Sequence, residues 1–299
     1  MTTLKKAQQR LIDRAESGAQ PSPMRDVWRT FCKHRISLVA LVILAIIIVV
    51  AIAAGFVFSE EQLTAMSGTA KMAAPSAEHW FGTDNFGRDE FARVIYGARY
   101  SLFFGLTTAF CSLFLGTLIG ASCAFFGGWF DTVVMRIMDA LVCIPSLLLM
   151  LALVSAIGRG MQGIIIALVV TNVPGTARII RSIVLGVVHN EYIEAATASG
   201  VSDAAIIVRH VLPNAFGPIL VNILMSISGC IVAASSMSFL GMGVQPPAPE
   251  WGAMINDAMS LFRTDPLLVI FPGMAVVITS LCFNLLGDGL TDSLDAHSR

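Results

Sequence analysis

The chain has 299 residues, of which 56% are hydrophobic and 13% are charged, and its formal net charge is −1. Soluble domains carry about a quarter charged residues, so this composition, with a mean hydropathy of +0.77, excludes an ordinary soluble domain. The net charge says nothing about nucleic acid, and the sequence shows no basic-aromatic patch of the kind that binds it. Uncharged runs of about 20 residues recur along the chain and predict an all-α polytopic membrane protein.

Residues 1–37 are polar and basic and are predicted to form an N-terminal tail. Trp28 and Phe31 stand among basic residues there, which favours an interfacial helix lying along the membrane. The excess of Lys and Arg beside the first apolar run predicts that this tail is cytoplasmic. Residues 38–57 carry no charge and are long enough to be span 1, retained as an anchor.

Residues 58–100 are predicted to form an extracytoplasmic loop. Gly82 and Gly87 favour a tight turn within it, which Asp84, Arg88 and Asp89 can cross-link. We interpret this stretch as a rigidly folded loop. The alternative is a surface that faces a substrate-delivering protein.

Residues 101–290 are predicted to contain spans 2 to 6, followed by a cytoplasmic tail at 291–299. Span 2 is expected over 101–126, where Gly116 and Gly120 allow a neighbouring helix to approach closely. Span 6 is expected over 267–286.

Spans 3 and 4 carry the charges and prolines of this core. Span 3 is expected over 133–157, with Arg136 and Asp139 able to pair on one helical face. Span 4 is expected to run from Ile164 and to be broken at Pro174.

Span 5, expected over 219–240, has a stripe of small and partly polar residues at steps of three and four. These candidate pore-lining residues are Asn222, Ser226, Gly229, Ala233 and Ser236. Such a stripe serves close helix packing or forms the wall of a translocation path, and the two interpretations are compatible.

Residues 191–214, between spans 4 and 5, predict a helix, a glycine bend, a short helix and a proline stop. Gly200 can adopt positive φ and end the first helix. Ser202 can cap the second helix, and Asp203 suits its first turn. That second helix is expected to stop before Pro213. The stretch therefore predicts a rigid elbow.

The spacing of Glu194, Ala195, Ala196, Gly200, Leu212 and Pro213 resembles the EAA loop of ABC-importer permeases. His210 replaces the usual aliphatic residue of that pattern, a departure found in peptide-type permeases. Two outer segments, GTDNFGRD at 82–89 and SFLGMGVQPPAPEWG at 238–252, are similar to signatures of the dipeptide and oligopeptide permeases, C-type subunit.

The resemblance implies the type I ABC-importer permease fold, with six transmembrane helices and a cytoplasmic coupling helix. The ATPase-coupling residues that it implies are Glu194, Ala195, Ala196, Gly200, Ser202, Asp203, Leu212 and Pro213. The residues that it implies face a binding protein are Asp84, Arg88, Asp89, Glu250 and Trp251.

The same resemblance implies a bacterial inner-membrane subunit with both termini cytoplasmic that imports peptides. Nickel, metal-chelate or glutathione import is the alternative substrate assignment. The implied partners are a second, homologous permease, two cytoplasmic ATPase subunits that carry ATP and Mg, and an extracytoplasmic substrate-binding protein.

Catalytic motifs are missing from the sequence. It has neither GxxxxGK[ST] nor HExxH, so we expect no catalytic residues, no metal site and no cofactor bound by this chain. An intramembrane hydrolase is disfavoured for this reason. A proton-coupled secondary transporter, the other alternative class, is disfavoured because no Asp, Glu or His falls in the middle of a predicted span.

Overall fold

The computed structural model describes residues 28–65 and 71–298, and helices dominate both ranges. Most of the predicted N-terminal tail therefore lies outside the described residues. Residues 28–31 form a helical turn just before the first span. The first six helices are α1 (Arg35–Val57), α2 (Glu60–Thr64), α3 (Glu90–Phe126), α4 (Gly128–Val142), α5 (Ser146–Ile157) and α6 (Met161–Val188).

The second half of the chain contains the elbow, two long helices and one short outer helix. These are α7 (Glu191–Ala198), α8 (Asp203–Ile206), a π-helical turn (Ile207–Val211), α9 (Leu212–Phe239), α10 (Trp251–Ala258) and α11 (Leu267–Ser298).

Five segments of the described chain are long and apolar enough to cross a membrane, and the pair α4–α5 makes a sixth if it counts as one bent span. The predicted all-α membrane fold is confirmed, and the predicted six spans are reached if α4 and α5, which meet at 90°, form one span. The largest apolar cluster joins α1, α3, α9 and α11 through residues such as Leu44, Leu102, Ile227 and Phe283.

Helix α3 begins at Glu90, well before the expected start of span 2 at residue 101. Asp89 is its N-cap and accepts a hydrogen bond from the backbone N–H of Ala92. At 1.5 Å per residue the helix is about 55 Å long, which exceeds the ~30 Å hydrocarbon core. Its first turns therefore project beyond the membrane into the loop that was predicted for residues 58–100.

The two glycines of span 2 do allow a close helix contact. A Cβ on Gly116 would lie 2.6 Å from the side chain of Thr176, and one on Gly120 would lie 2.3 Å from the backbone oxygen of Ala177. Both contacts are with α6. Neither position has room for a side chain, which confirms the close approach predicted from the spacing.

The prolines break a different span from the one expected. Pro174 lies inside a continuous α6, whereas the chain bends at Pro145, between α4 and α5. Helix α6 is packed along α3, and the side chains of Thr171 and Asn172 donate to carbonyls of the preceding turn. No residue of α4 is buried in the chain, so packing does not hold α4 and α5 in line.

The expected pair between Arg136 and Asp139 is not formed. Asp139 instead accepts from Arg178 of α6, and Asp131 accepts two hydrogen bonds from Arg181 one turn further on. These two long-range ion pairs fasten α4 to α6. Helix α11 also runs further than expected, to Ser298, through the stretch that was predicted to be a tail.

Candidate functional site

The elbow at residues 191–214 turns at a Schellman motif. Helix α7 ends at Ala198, and Gly200 follows with φ of +77°. The N–H of Gly200 donates to the carbonyl of Thr197 at 3.0 Å, and that of Val201 donates to Ala196 at 3.2 Å. This double closure satisfies carbonyls that a helix end would otherwise leave without partners. The predicted positive-φ glycine bend is present.

The second helix of the elbow differs from the prediction at both ends. Ser202 occupies the N-cap position, but its side chain makes no capping hydrogen bond; Asp203 is in the first turn, as expected. The helix does not stop before Pro213, and residues 203–239 form one continuous segment. Pro213 is tolerated because a π-helical turn precedes it and the proline lies in the first turn of α9, where a missing N–H costs little.

The elbow has a buried side and an exposed side. Ile193, Ile206 and Val211 are almost fully buried against Ile180 and Val184 of α6. These contacts hold the elbow against the membrane helices. The elbow is therefore connected to α6 by packing and to α9 by a continuous helical segment.

The residues predicted to couple to an ATPase lie mostly on the exposed side. Those that are exposed are Glu194, Ala195, Gly200, Ser202, Asp203 and Pro213, while Ala196 and Leu212 are half-buried. Tyr192 and Val208 add exposed apolar surface. Exposed apolar and charged side chains on one side of the elbow suit contact with a protein.

The stripe on α9 lies on the side of that helix that this chain leaves partly uncovered. Asn222, Ser226, Ala233 and Ser236 are half-buried and Gly229 is exposed. The opposite side of α9 is buried in the chain, at Ile223, Ile227, Cys230, Ile231 and Ala234 among others.

The turn at 82–89, in the loop that was predicted to be extracytoplasmic and is called the outer loop below, is tight and internally bonded, as predicted. Gly82 and Gly87 have φ of +79° and +80°. Asp84 accepts from the backbone N–H groups of Phe86 and Arg88, both at 2.9 Å, and from the side chain of Arg88. Asp84 and Arg88 are buried, so their side chains do not present a surface to another protein.

The second outer segment, at residues 238–252, is anchored to α3. Trp251 is 2% exposed and donates from Nε1 to the carbonyl of Val94 at 2.8 Å. Arg93 donates to the carbonyls of Leu63 and Pro247. Glu250 has no exposed surface and caps α10 by accepting from Ala253.

The assignment of these outer residues to a binding-protein surface therefore needs correction. Four of the five side chains, Asp84, Arg88, Glu250 and Trp251, are buried, and Asp89 serves as the N-cap of α3. Trp251 ties its segment to α3, Asp84 and Arg88 close their own turn, and Glu250 caps α10. The interpretation of a rigidly folded loop is the one that fits the geometry.

Burial raises the pKa values of the Glu250 and Asp257 carboxyl groups because it disfavours their charged forms. For Asp257 the guanidinium of Arg88, 3.9 Å away, opposes the increase in pKa. For Glu250 the opposing contribution comes from hydrogen bonds to the backbone of Gly252 and Ala253. Glu250 thus favours its neutral form more strongly than an exposed carboxyl group does.

Three structural features were missed by sequence reasoning. They are the π-helical turn at Ile207–Val211, the ion pairs of Asp131 and Asp139 with α6, and the hydrogen bonds of Arg93 to two outer loops. The only sequence signal for the π turn was Pro213 within an otherwise helical pattern.

The described chain combines several membrane-length helices with a helix–turn–helix elbow between two of them. Residues 112–299 match the family described as binding-protein-dependent transport system inner membrane component, and residues 22–75 match the N-terminal TM domain of oligopeptide transport permease C. The chain belongs to this family of ABC-importer permeases and is an inner-membrane protein.

Two curated relatives match over nearly their whole length. The dipeptide transport system permease protein DppC of Alkalihalophilus pseudofirmus is 39% identical over 278 residues, 93% of this chain and 91% of the relative. The glutathione transport system permease protein GsiD of Escherichia coli O157:H7 is 39% identical over 274 residues, 92% and 90% respectively.

Among solved structures, a chain of the inward-facing MetNI methionine ABC transporter is similar, with a TM-score of 0.52 at 18% identity. The match covers 66% of this chain and 94% of that chain. This likeness shows the fold alone, and it confirms the type I ABC-importer permease fold.

Proposed function

We propose that this chain is one of the two permease subunits of an ATP-driven importer and forms half of a translocation path for short peptides. The observation that carries the proposal is the elbow: a Schellman turn with its underside packed on α6 and its other side exposed. The peptides are delivered by an extracytoplasmic binding protein.

The exposed side of the elbow is the docking surface for a cytoplasmic ATPase subunit. Glu194, Ala195, Ala196, Gly200, Ser202, Asp203, Leu212 and Pro213 form it. Two such ATPases carry ATP and Mg, and this chain binds neither, which agrees with the lack of a phosphate-binding loop in its sequence. The uncovered stripe on α9, at Asn222, Ser226, Gly229, Ala233 and Ser236, faces the path and the second permease.

Short peptides are the favoured substrate because the two relatives are named for dipeptide and glutathione transport. Both ligands combine amide groups with carboxylates and an amine. Glutathione is the second candidate on the same ground. Retention of radiolabelled dipeptide or glutathione by the cognate binding protein distinguishes them, and retention of neither would exclude both.

Both termini are proposed to be cytoplasmic, which places the elbow on the same side as the ATPases. A background in which exposed Cys32, Cys111 and Cys143 are replaced by Ser allows a direct test. A membrane-impermeant thiol reagent applied to intact cells should label Ser76→Cys, on the exposed outer loop, and should not label Ser202→Cys on the elbow. Labelling of the elbow in intact cells would invert the proposed orientation.

Charge reversal on the two sides of the membrane tests the docking surface. Glu194→Lys on the elbow should lower copurification of the ATPases, whereas Glu78→Lys on the exposed outer loop should leave it unchanged. The purified chain alone should hydrolyse no ATP. Equal ATPase recovery with both variants, or hydrolysis by the isolated chain, would contradict the proposal.

A further inference from the structure

An apolar groove lies beside the N-terminal turn, at the end of α11 that also carries the C-terminus. Its walls include Trp28, Phe31, Leu41, Leu220, Leu224 and Leu286, and its volume is about 370 Å³. We call it the N-terminal groove. Its walls come from four segments that are distant in the sequence, so it is a product of the folded chain.

The side of the groove formed by Trp28 and Phe31 is held in place. Phe31 is buried, and a Cβ built on Gly289 of α11 would lie 3.4 Å from its ring. Ser37 donates to the carbonyl of Leu285 at 2.9 Å. Trp28 stacks on Phe31 with ring centroids 5.7 Å apart and is 57% exposed. The indole is therefore fixed on one face and open on the other.

Exposed cations follow the groove residues directly in the chain. Lys33 and Arg35 are exposed at the start of α1 and form no ion pair within the described residues. Asp292 of α11 lies 3.5 Å from His34. Asp288 of the same helix is exposed. Trp suits the membrane interface, and Lys and Arg there attract anionic lipid.

We propose that the N-terminal groove is a binding site for an anionic phospholipid. One acyl chain lies in the groove against Trp28 and Leu224, and the phosphate is bound by Lys33 and Arg35. A lipid fits these observations because the walls are apolar, exposed cations follow the groove residues in the chain, and Trp28 is 57% exposed. Charge complementarity with Lys33 and Arg35 selects an anionic headgroup over a zwitterionic one. Each Lys or Arg near an anionic membrane surface strengthens binding roughly fivefold.

Brominated lipids test the proposal through the fluorescence of Trp28. The full-length chain, in its assembled importer, is placed in nanodiscs of phosphatidylglycerol and phosphatidylcholine at one fixed ratio. The bromines are carried either by the anionic or by the zwitterionic lipid. The signal of Trp28 is obtained by subtracting a Trp28→Phe variant. Bromines on phosphatidylglycerol should quench Trp28 severalfold more than that lipid's share of the mixture predicts.

Two controls separate the site from the bulk bilayer. Trp129, measured through Trp129→Phe, is 80% exposed and should be quenched in proportion to bulk composition. The double variant Lys33→Gln, Arg35→Gln should reduce the preference of Trp28 for the anionic lipid to the level set by bulk composition. The matched double variant Arg159→Gln, Arg263→Gln, on exposed turns outside the groove, should leave that preference unchanged. Equal lipid preference at Trp28 and Trp129, a preference that survives loss of both cations, or shielding of Trp28 from every brominated lipid would overturn the proposal.

Discussion

Substitutions at Gly200 test whether the angle of the elbow carries the motion of the ATPases to the spans. No atom of the residues that the structure describes lies within 4 Å of a Cβ built on Gly200, so a side chain there meets no steric obstacle among them. The only cost comes from the backbone, whose φ is +77°. Within this chain, a series of Asn, Ala and Val at this position therefore varies the backbone cost, and Asn, which is about as large as Val, controls for the effect of an added side chain on the docking surface.

The expected magnitudes follow from the left-handed conformation. Most L-residues pay roughly 1–2 kcal/mol there, whereas Asn is several-fold enriched in that region. Gly200→Ala recovers about 0.4–1 kcal/mol through a less flexible unfolded chain, so its net cost is about 0–1.6 kcal/mol. Gly200→Val, a β-branched residue, should cost at least about 2 kcal/mol, which corresponds to a roughly 30-fold shift away from the native elbow.

Peptide uptake and membrane abundance are measured together across the series. Abundance should stay normal in all three variants, because the spans are buried in lipid independently of the elbow. Uptake should be near normal for Asn, reduced for Ala and largely lost for Val. Equal uptake by the Asn and Val variants at equal abundance would refute the reasoning.

Three further predictions concern packing, ion pairs and a buried carboxyl. Gly120→Val should lower the free energy of unfolding by about 1–3 kcal/mol through overpacking. Gly175→Ala should be neutral or stabilising, because no atom of the described residues lies within 4 Å of the added Cβ. Arg181→Ala should lower the free energy of unfolding by about 1.5–3 kcal/mol. Adding Asp131→Ala should lower it little further if the two side chains act as one ion pair. The pKa of Glu250 is raised above its ordinary value of 4.5. The free energy of unfolding should therefore be highest below pH 4.5 and should fall as the pH rises through the pKa of the folded state. Thermal midpoints of Glu250→Gln should lack this decline; an unchanged pH profile would contradict the assignment.

The local parts of the elbow were predictable from the sequence. A helix that ends in a glycine with positive φ is encoded by a few consecutive residues, so Gly200 and the first turn at Asp203 could be placed. The span count was predictable for the same reason, since length and apolar character are local properties.

Features that depend on distant neighbours could not be predicted. The partners of Asp131 and Asp139 are 50 and 39 residues away, and no spacing rule connects them. Pro145 and Pro174 look alike in the sequence; packing keeps α6 continuous at Pro174, whereas α4, with no buried residue, bends at Pro145. The burial of Glu250 and Trp251 likewise depends on the docking of their loop onto α3.

The energy source of uptake tests the central claim most directly. Proteoliposomes containing this chain, its partner permease and the ATPases are given the loaded binding protein on the outer face. Uptake is compared with ATP inside and no ion gradient, and with a proton gradient and no ATP. Our account predicts peptide accumulation in the first condition alone. Accumulation driven by the proton gradient without ATP would show instead that the chain is a secondary transporter.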